Sequence, residues 1–465
     1  MLEKTVSIIN DIVWSPALVV LLVGAGLYFS IRTRFLQVRR FGLMVRSLFA
    51  PAHIDESGSR KGISSFQAFC MSLSGRVGTG NIVGVATAIA MGGPGAVFWM
   101  WIIAFFGMAT IYSEAVLAIE TRIKDDDGQL HGGPVYYIKR AFPGKLGKFL
   151  AGLFAIAAIL ALGFMGAMVQ SNSIGETCQT AFKIPAWSIG LAITIIAALI
   201  FLGGIQRIAS VTEKLVPAMA ILYLLGCIAV IASKITHVPE AFALIFKYAF
   251  SPDAIIGGSI GYALKTAISQ GVKRGLFSNE AGMGSTPHAH AMANVKYPHE
   301  QGVVAMIGLF VDTFIVLTMT ALVVISVCYT KGGILHNGAI DGITKTNLAP
   351  IAFSSLMGDS LGSIFVAVCL LFFAFSTILG WNFFGKVNMI YLFGKKSAAV
   401  YAVISLAFVF LGSILSNDLV WELQDFFNQI IVLPNVIALF AMSSAVVKEA
   451  RKRRDGDIDL NPGSK

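Results

Sequence analysis

Two hydrophobic segments of the chain are each interrupted by polar, glycine-rich residues whose types suit ligand capture. The first interruption runs Ser72–Asn81 (SLSGRVGTGN) and the second Gly271–Ser285 (GVKRGLFSNEAGMGS). In the first, Gly75, Gly78 and Gly80 relax the backbone, while Ser72, Ser74, Thr79 and Asn81 supply short hydrogen-bonding groups. Unwinding there releases carbonyl oxygens for a cation and leaves a helix N-terminus, from Asn81 onward, whose free N–H groups suit a carboxylate. The second interruption offers apolar walls in Phe277 and Met283, with Ser278, Asn279, Glu280 and Ser285 as polar groups and Gly282 and Gly284 as points of close backbone approach. Close helix packing is the competing reading of the first, because Gly80-x-x-x-Gly84 is also a small-residue association motif.

These stretches sit in a chain built for lipid. Of 465 residues, 56% are hydrophobic and 13% charged, whereas an ordinary soluble domain has about 25% charged residues. Apolar runs long enough to cross a hydrocarbon core of about 30 Å recur throughout. The pattern predicts an all-α, polytopic membrane protein with eleven spans: 12–31, 64–91, 95–122, 148–175, 187–204, 212–235, 256–290, 300–330, 361–382, 397–415 and 418–447. No soluble domain or linker interrupts them, so 1–465 reads as a single transmembrane domain.

Positive charge orients the spans, because lysine- and arginine-rich loops stay cytoplasmic. The loop after the first span carries Arg32, Arg34, Arg39, Arg40, Arg46, Arg60 and Lys61, and the next, Gly92–Gly95, carries none. Alternate connections continue that bias, with Arg76 and Lys265 placed inside spans. The expected topology has the N-terminus outside, and the basic tail 448–465, including KEARKRR, in the cytoplasm. The membrane is the plasma membrane, the inner membrane of a prokaryote. The net charge of +10 is thus a topology signal, not a nucleic-acid footprint. The basic stretch Arg32–Arg46, interleaved with Phe35, Leu36, Val38, Phe41, Leu43 and Met44, is expected to lie on the anionic inner leaflet. The first span does not read as a removable signal, since its positive cluster follows the apolar run.

Apart from the first span, ten remain, five and five, and each group opens with an interrupted member. An odd number per half makes the halves enter from opposite sides: a first repeat at 64–235 and a second at 256–447. In such inverted repeats a substrate and its coupling ion meet near the midplane, between interrupted spans. Arg76 and Glu280 lie on the same side of their respective breaks, and an ion pair between them would make an inner gate.

The string GTGNIVGVATAIAM followed by GGPGAVFWMWIIAFFG (Gly92–Gly107), with GLFSNEAGMGS at the second break, closely resembles the alanine or glycine:cation symporter (sodium:alanine symporter) family. The resemblance covers essentially the whole chain. It implies a LeuT-like 5+5 inverted repeat with one extra N-terminal helix, and sodium-coupled uptake of a small neutral amino acid, alanine or glycine. It further implies that the substrate contacts Thr79, Gly80 and Asn81, Gln170 of the fourth span, Phe277 and Gly282 of the second break, and Trp381 of the ninth span. In LeuT-like transporters a sodium ion sits between the first and eighth core helices. Here that places Ser376 and Thr377 with carbonyls near Gly75 and Gly78, ordinary back-bonding to the preceding turn being the alternative. Asp312, mid-span in 300–330, is a candidate for a second cation or a proton relay.

The remaining chemistry-bearing residues read as structural. His288 and His290 have no cysteine or carboxylate at ligand spacing, and Glu114 and Glu120 are expected to pair with loop arginines. Gln170 and Asn172 are also readable as interhelical hydrogen-bonding groups. Cys70, Cys178, Cys227, Cys328 and Cys369 lack CxxC spacing and read as inert buried thiols. No nucleotide fingerprint, GxSxG elbow or HExxH is present. No cofactor or nucleotide beyond a coupling ion is expected. Proton coupling, an uncoupled facilitator and an intramembrane enzyme are the alternatives, the last requiring paired catalytic groups at one depth.

Overall fold

The computed structural model describes residues 10, 16–48, 62–125, 128–250, 260–336, 347–415 and 417–452. Arg60, Lys61, the first residues of the expected spans 12–31 and 256–290, and the tail from Arg453 onward lie outside them. The molecule is almost wholly helical. Its helices are α1 (Pro16–Arg32), α2 (Leu36–Arg39), α3 (Phe41–Leu48), α4 (Ser65–Arg76), α5 (Val85–Gly92), α6 (Ala96–Thr121), α7 (Pro134–Ala141), α8 (Lys145–Ala158), α9 (Ala167–Phe182), α10 (Ala186–Phe201) and α11 (Gly204–Ser233). The second part adds α12 (Val238–Phe250), α13 (Ile260–Asn279), α14 (Pro287–His290), α15 (Pro298–Phe310), α16 (Thr318–Cys328), α17 (Leu348–Met357), α18 (Asp359–Phe393), α19 (Ser397–Gly412), α20 (Asn417–Ala441) and α21 (Ser443–Lys452).

Six continuous helical stretches among the described residues are long and apolar enough to cross a membrane by length and composition, and shorter apolar helices such as Ala186–Phe201 and Ser397–Gly412 accompany them. Burial sorts them by position. The apolar window of α6 is 83% buried inside the protein, whereas that of α11 is only 33% buried. Hence α6 is the central post, packed against α1, α13 and α15, and α11 presents its flank outward. The outward faces carry Leu202, Leu225 and Val403, as a lipid-facing surface requires. Two spans stay helical through π-helical turns at Ile159–Gly166 and Val311–Leu317, and a third such turn, Gly80–Gly84, leads into α5.

Several expected boundaries shift. The span 418–447 ends at Ala441, and a separate amphipathic helix, α21, follows. The helices α12 and α17 form in connections read from sequence as loops. Lys273 and Arg274, inside the expected span 256–290, lie within α13 and pair with Asp425 of α20, at 2.7 and 3.5 Å. In the Arg32–Arg46 stretch, Leu36, Leu43 and Met44 are buried and α3 packs against α15, whereas Phe35, Val38 and Phe41 stay exposed.

Local chemistry explains how both interrupted spans are mounted. Ser64 caps α4 in a reciprocal capping box, its hydroxyl accepting from Gln67 N (3.0 Å) and its N–H donating to Gln67 Oε1 (3.0 Å). Beside it Ile63 forms a bridge to the chain just beyond α14, through Ile63 N to Met292 O and Asn294 N to Ile63 O. Two spans remote in sequence are thereby joined at one end of the bundle. The Gly92–Gly95 turn is tight because an added Cβ at Gly95 would meet the Tyr248 carbonyl at 2.2 Å.

Candidate functional site

Both interruptions are real breaks and both are shorter than the polar strings. In the first, α4 persists to Arg76, and the backbone leaves the helix at Val77 (φ −76°, ψ 82°) before the π-helical turn at Gly80–Gly84. Gly78 N donates to Asn81 Oδ1 (3.2 Å), and Thr79 N donates to Gln170 Oε1 (3.2 Å). A side-chain amide from α9 thus serves a peptide N–H that unwinding has left without a helical partner. The Thr79 hydroxyl is buried with no hydrogen-bond partner. The association reading of Gly80 and Gly84 is half fulfilled. A Cβ at Gly80 would meet Phe277 and Ser278 at 3.1 Å, whereas one at Gly84 meets nothing closer than the Thr79 carbonyl at 3.9 Å.

The helix α18 closes one side of this break. Thr377 Oγ1 donates to Ser74 O (2.8 Å), a carbonyl near the end of α4, and lies 3.1 Å from Phe373 O. An added Cβ at Gly78 would stand only 2.4 Å from the same hydroxyl. Thr377 therefore sits at the break, and its bond to Phe373 O is the back-bond to the preceding turn. Ser376 donates to Phe373 O at 2.8 Å, the ordinary back-bond to its own helix. One turn on, Trp381 is buried, stands edge-on to Phe277 with ring centroids 5.9 Å apart, and donates its indole N–H to Glu280 Oε1. Its ring lies against Gly75 and Gly166, and a Cβ at Gly166 would meet it at 2.4 Å.

At the second break α13 continues to Asn279, so Gly271 and Gly275 are helical. Their missing side chains serve packing, since a Cβ at either would run into α6, at Ala96 O (2.5 Å) and Ile103 (2.8 Å) respectively. The break proper spans 280–286, where Glu280 (φ 57°), Gly282 (φ 91°) and Gly284 (φ 74°) all adopt left-handed backbone. Glu280 is a non-glycine residue held there by its contacts, since Ser285 Oγ donates to its Oε2 (2.6 Å) and Trp381 to its Oε1. Gly282 stands apart from the other expected ligand residues. Its Cβ direction points at Leu22 of α1 (2.8 Å), and its carbonyl accepts from Asn435 Nδ2 (2.9 Å).

The expected ion pair between Arg76 and Glu280 is absent among the described residues. Arg76 is buried and donates to Thr286 Oγ1 (3.1 Å) and toward Ala305 O (3.5 Å). Trp381 and Ser285 hold the two oxygens of Glu280, while Arg76 is directed instead to Thr286 and Ala305. Arg76 still joins the breaks, from the end of α4 to Thr286 beyond the second turn.

Asp312 is the other convergence point. Its carboxylate accepts from Asn81 Nδ2 (2.8 Å), Ser278 Oγ (3.1 Å) and Thr313 Oγ1 (2.9 Å), so groups from both broken spans meet on one buried anion. Thr79, Gly80, Asn81, Gln170, Phe277, Thr377 and Trp381 are all buried around these contacts.

Other readings resolve as follows. Glu120 lies 3.8 Å from Arg140 as expected, but Glu114 pairs with no loop arginine and instead accepts from Gly284 N (3.0 Å) and Asn435 Nδ2 (2.6 Å). Its partner Asn435, and Tyr137 that bonds Asn435, were missed, because nothing in the sequence links positions 114, 137, 284 and 435. His288 lies between Ser285 O (2.6 Å) and Asn388 Nδ2 (2.9 Å), and His290 lies 2.7 Å from Gln301 Nε2. No cluster of metal-ligating residues surrounds them among the described residues. Asn172 bonds Gly412 O (3.0 Å) and Leu415 O (2.8 Å) in an interhelical role. All five cysteines are free and buried.

This architecture has known counterparts. The model of the sodium:alanine symporter family matches residues 1–456. The sodium/alanine symporter AgcS of Methanococcus maripaludis is 40% identical over 447 residues, covering 96% of each chain. The probable sodium/glutamine symporter GlnT of Bacillus subtilis is 41% identical over 447 residues, 96% of this chain and 89% of that one. Among solved structures, that of MhsT in complex with L-phenylalanine superposes with a TM-score of 0.62 over 85% of this chain and 94% of that chain, at 14% identity, a likeness of LeuT-like fold alone. With its apolar helices, two broken spans and matches along nearly its whole length, the chain belongs to the sodium:alanine symporter family of membrane transporters.

Proposed function

We propose that the protein is a secondary active symporter that imports a small neutral amino acid, alanine or glycine, by coupling it to sodium through alternating access. One observation carries the reading: two helix breaks remote in sequence meet, and the residues at and beside them are braced by side chains from three other spans. Thr79 N reaches Gln170, Asn81 and Ser278 reach Asp312, Thr377 reaches Ser74 O, and Phe277 abuts Trp381.

In this reading the substrate carboxylate takes the Thr79 hydroxyl at the head of the Gly80–Gly84 turn, and Gln170 orients that segment through Thr79 N. On the same reading the edge-on pair of Phe277 and Trp381 limits the room for the substrate side chain. Gly282 contributes through backbone alone. Sodium, a hard cation that takes oxygen ligands, is held by Thr377 Oγ1 with carbonyls from the Ser74–Gly78 end of α4, and Ser376 acts by anchoring that turn. Asp312 supplies the fixed negative charge of a second cation position, where Asn81, Ser278 and Thr313 already orient its oxygens. Arg76 and Glu280 act as separate anchors of the two breaks on the inner side, in place of a direct gate.

The same reading carries the topology: eleven crossings, an extra N-terminal helix before repeats 64–235 and 256–447, the N-terminus outside and the basic tail in the cytoplasm of a prokaryote. Labelled alanine and glycine uptake into proteoliposomes tests it. An inward sodium gradient should drive accumulation that collapses when the gradient is dissipated. Uptake that proceeds unchanged without sodium and proton gradients would instead identify a facilitator.

A further inference from the structure

We infer that Glu114, on α6 and outside both broken spans, is a positioning residue that holds the second break in the shape lining the substrate site. The inference rests on the proposed symport reading for its transport readout and on geometry alone for its structural one.

Three residues of 280–286 adopt left-handed backbone, and within the turn Met283 N donates to Glu280 O (3.1 Å) and Ser285 Oγ to Glu280 Oε2 (2.6 Å), which leaves the Gly282 and Gly284 peptides to outside partners. Such a conformation persists only where its surroundings over-determine it. Here the surroundings are two peptide groups and a relay. Gly284 N donates to Glu114 Oε1 (3.0 Å), and Asn435 Nδ2 donates both to that oxygen (2.6 Å) and to Gly282 O (2.9 Å). Tyr137 OH donates to Asn435 Oδ1, fixing the orientation of the amide. The helices α6, α20 and α7 therefore converge on the two glycine peptides that follow Glu280.

Space is as restricted as polarity. A Cβ at Gly284 would meet Pro134 at 2.8 Å and Asn435 at 3.0 Å. Glu114 and Asn435 are both fully buried, so water does not replace a lost bond. The turn they hold presents Glu280 to Trp381, which in turn stands against Phe277. A continuous set of contacts thus runs from Glu114 to the apolar wall of the site. One oxygen of Glu114 accepts both bonds, and Oε2 has no partner. The function requires an acceptor of this size, which glutamine also supplies.

The test compares Glu114→Gln, Glu114→Leu and Asn435→Leu in proteoliposomes, reading KM and Vmax for sodium-driven alanine uptake. It also reads hydrogen exchange of the 280–286 amides in the purified full-length protein. Leucine at either position should raise KM about tenfold and speed exchange at Gly284 by a similar factor, because buried donors lose their acceptor or a carbonyl its donor. Glu114→Gln should stay within about twofold of wild type in both. The double leucine variant should be no worse than the poorer single one, since both act on one network. If Glu114→Leu fails to fold, Asn435→Leu and Tyr137→Phe carry the same comparison.

Unchanged KM with only Vmax lowered would overturn the inference, as would unchanged exchange at 280–286 or a Gln variant as impaired as the Leu one. Should wild-type protein take up no alanine, the symport reading fails, and the exchange data still decide the role of Glu114.

Discussion

The substitution Gly78→Ala puts a single methyl group where the proposed sodium and substrate positions adjoin. Its Cβ would fall 2.4 Å from Thr377 Oγ1, 3.2 Å from Thr377 Cβ and 3.1 Å from Gln170 Oε1. Thr377 has no free direction of retreat, because rotating the hydroxyl away breaks its bond to Ser74 O and its contact with Phe373 O. Backbone or helix must shift instead, and overpacking of this kind costs about 1–3 kcal/mol. If that cost falls on the ion-binding conformation, the sodium concentration for half-maximal uptake should rise about 5- to 150-fold. Gly84→Ala is the control, since its nearest neighbour is 3.9 Å away; it should leave sodium dependence unchanged. The assay is alanine uptake into proteoliposomes over a sodium titration at constant ionic strength. A wild-type sodium response in Gly78→Ala, or equal damage in Gly84→Ala, would refute the placement of the ion beside Thr377.

Three further outcomes follow from the same geometry. Trp381→Phe keeps the ring contact with Phe277 but strips Glu280 Oε1 of its indole donor. Leaving that acceptor unpaired costs about 1–3 kcal/mol, to be read as a raised KM for alanine with the protein still folded. Asp312→Asn retains an acceptor for Asn81 but removes the buried charge, so sodium half-saturation should rise by roughly tenfold or more, checked in the same titration. On the connecting hairpin β1 (Ile123–Lys124) and β2 (Leu130–His131), hydrogen bonds from Lys395 and then His131 hold the Asp125 carboxyl well below the usual carboxylate range. A lowered folded-state value gives stabilisation that is complete above the unfolded value of about 3.9 and lost as pH falls below it. Protection factors of the hairpin amides, taken relative to the intrinsic exchange rate at each pH, should therefore fall on acidification below about pH 4, and Asp125→Asn should abolish that dependence.

Much of the architecture was legible because membranes constrain sequence strongly. Twenty-residue apolar runs have few other uses, and a string such as SLSGRVGTGN inside one of them has to be accommodated by a break. The extent of each break was not legible. Glycine serves both unwinding and close packing: Gly78 stands at an unwound turn, whereas Gly271 and Gly275 stay helical and let α13 approach α6. Partner choice was equally hidden. Arg76 and Glu280 are complementary in charge, yet Thr286, Trp381 and Ser285 reach them, because hydrogen-bond geometry at short range decides between neighbours. Asp312 was recognisable as a costly mid-span anion, but its donors come from positions 81, 278 and 313, two of them on other spans. The Glu114–Asn435–Tyr137 brace had no sequence signal, since each member is an ordinary residue on its own helix. The π-helical turns likewise arise from tertiary packing that local propensity does not encode.

The central claim is that the amino acid and sodium occupy adjoining positions where the two breaks meet, so that each favours the other. Calorimetric titration of alanine into the purified protein, in sodium chloride and again in potassium chloride at equal ionic strength, tests it most directly. The account predicts alanine affinity at least about tenfold higher in sodium, a matching gain in sodium affinity when alanine is present, and loss of both gains in Asn81→Ala. Equal alanine affinity in the two salts, or coupling that survives Asn81→Ala intact, would contradict it.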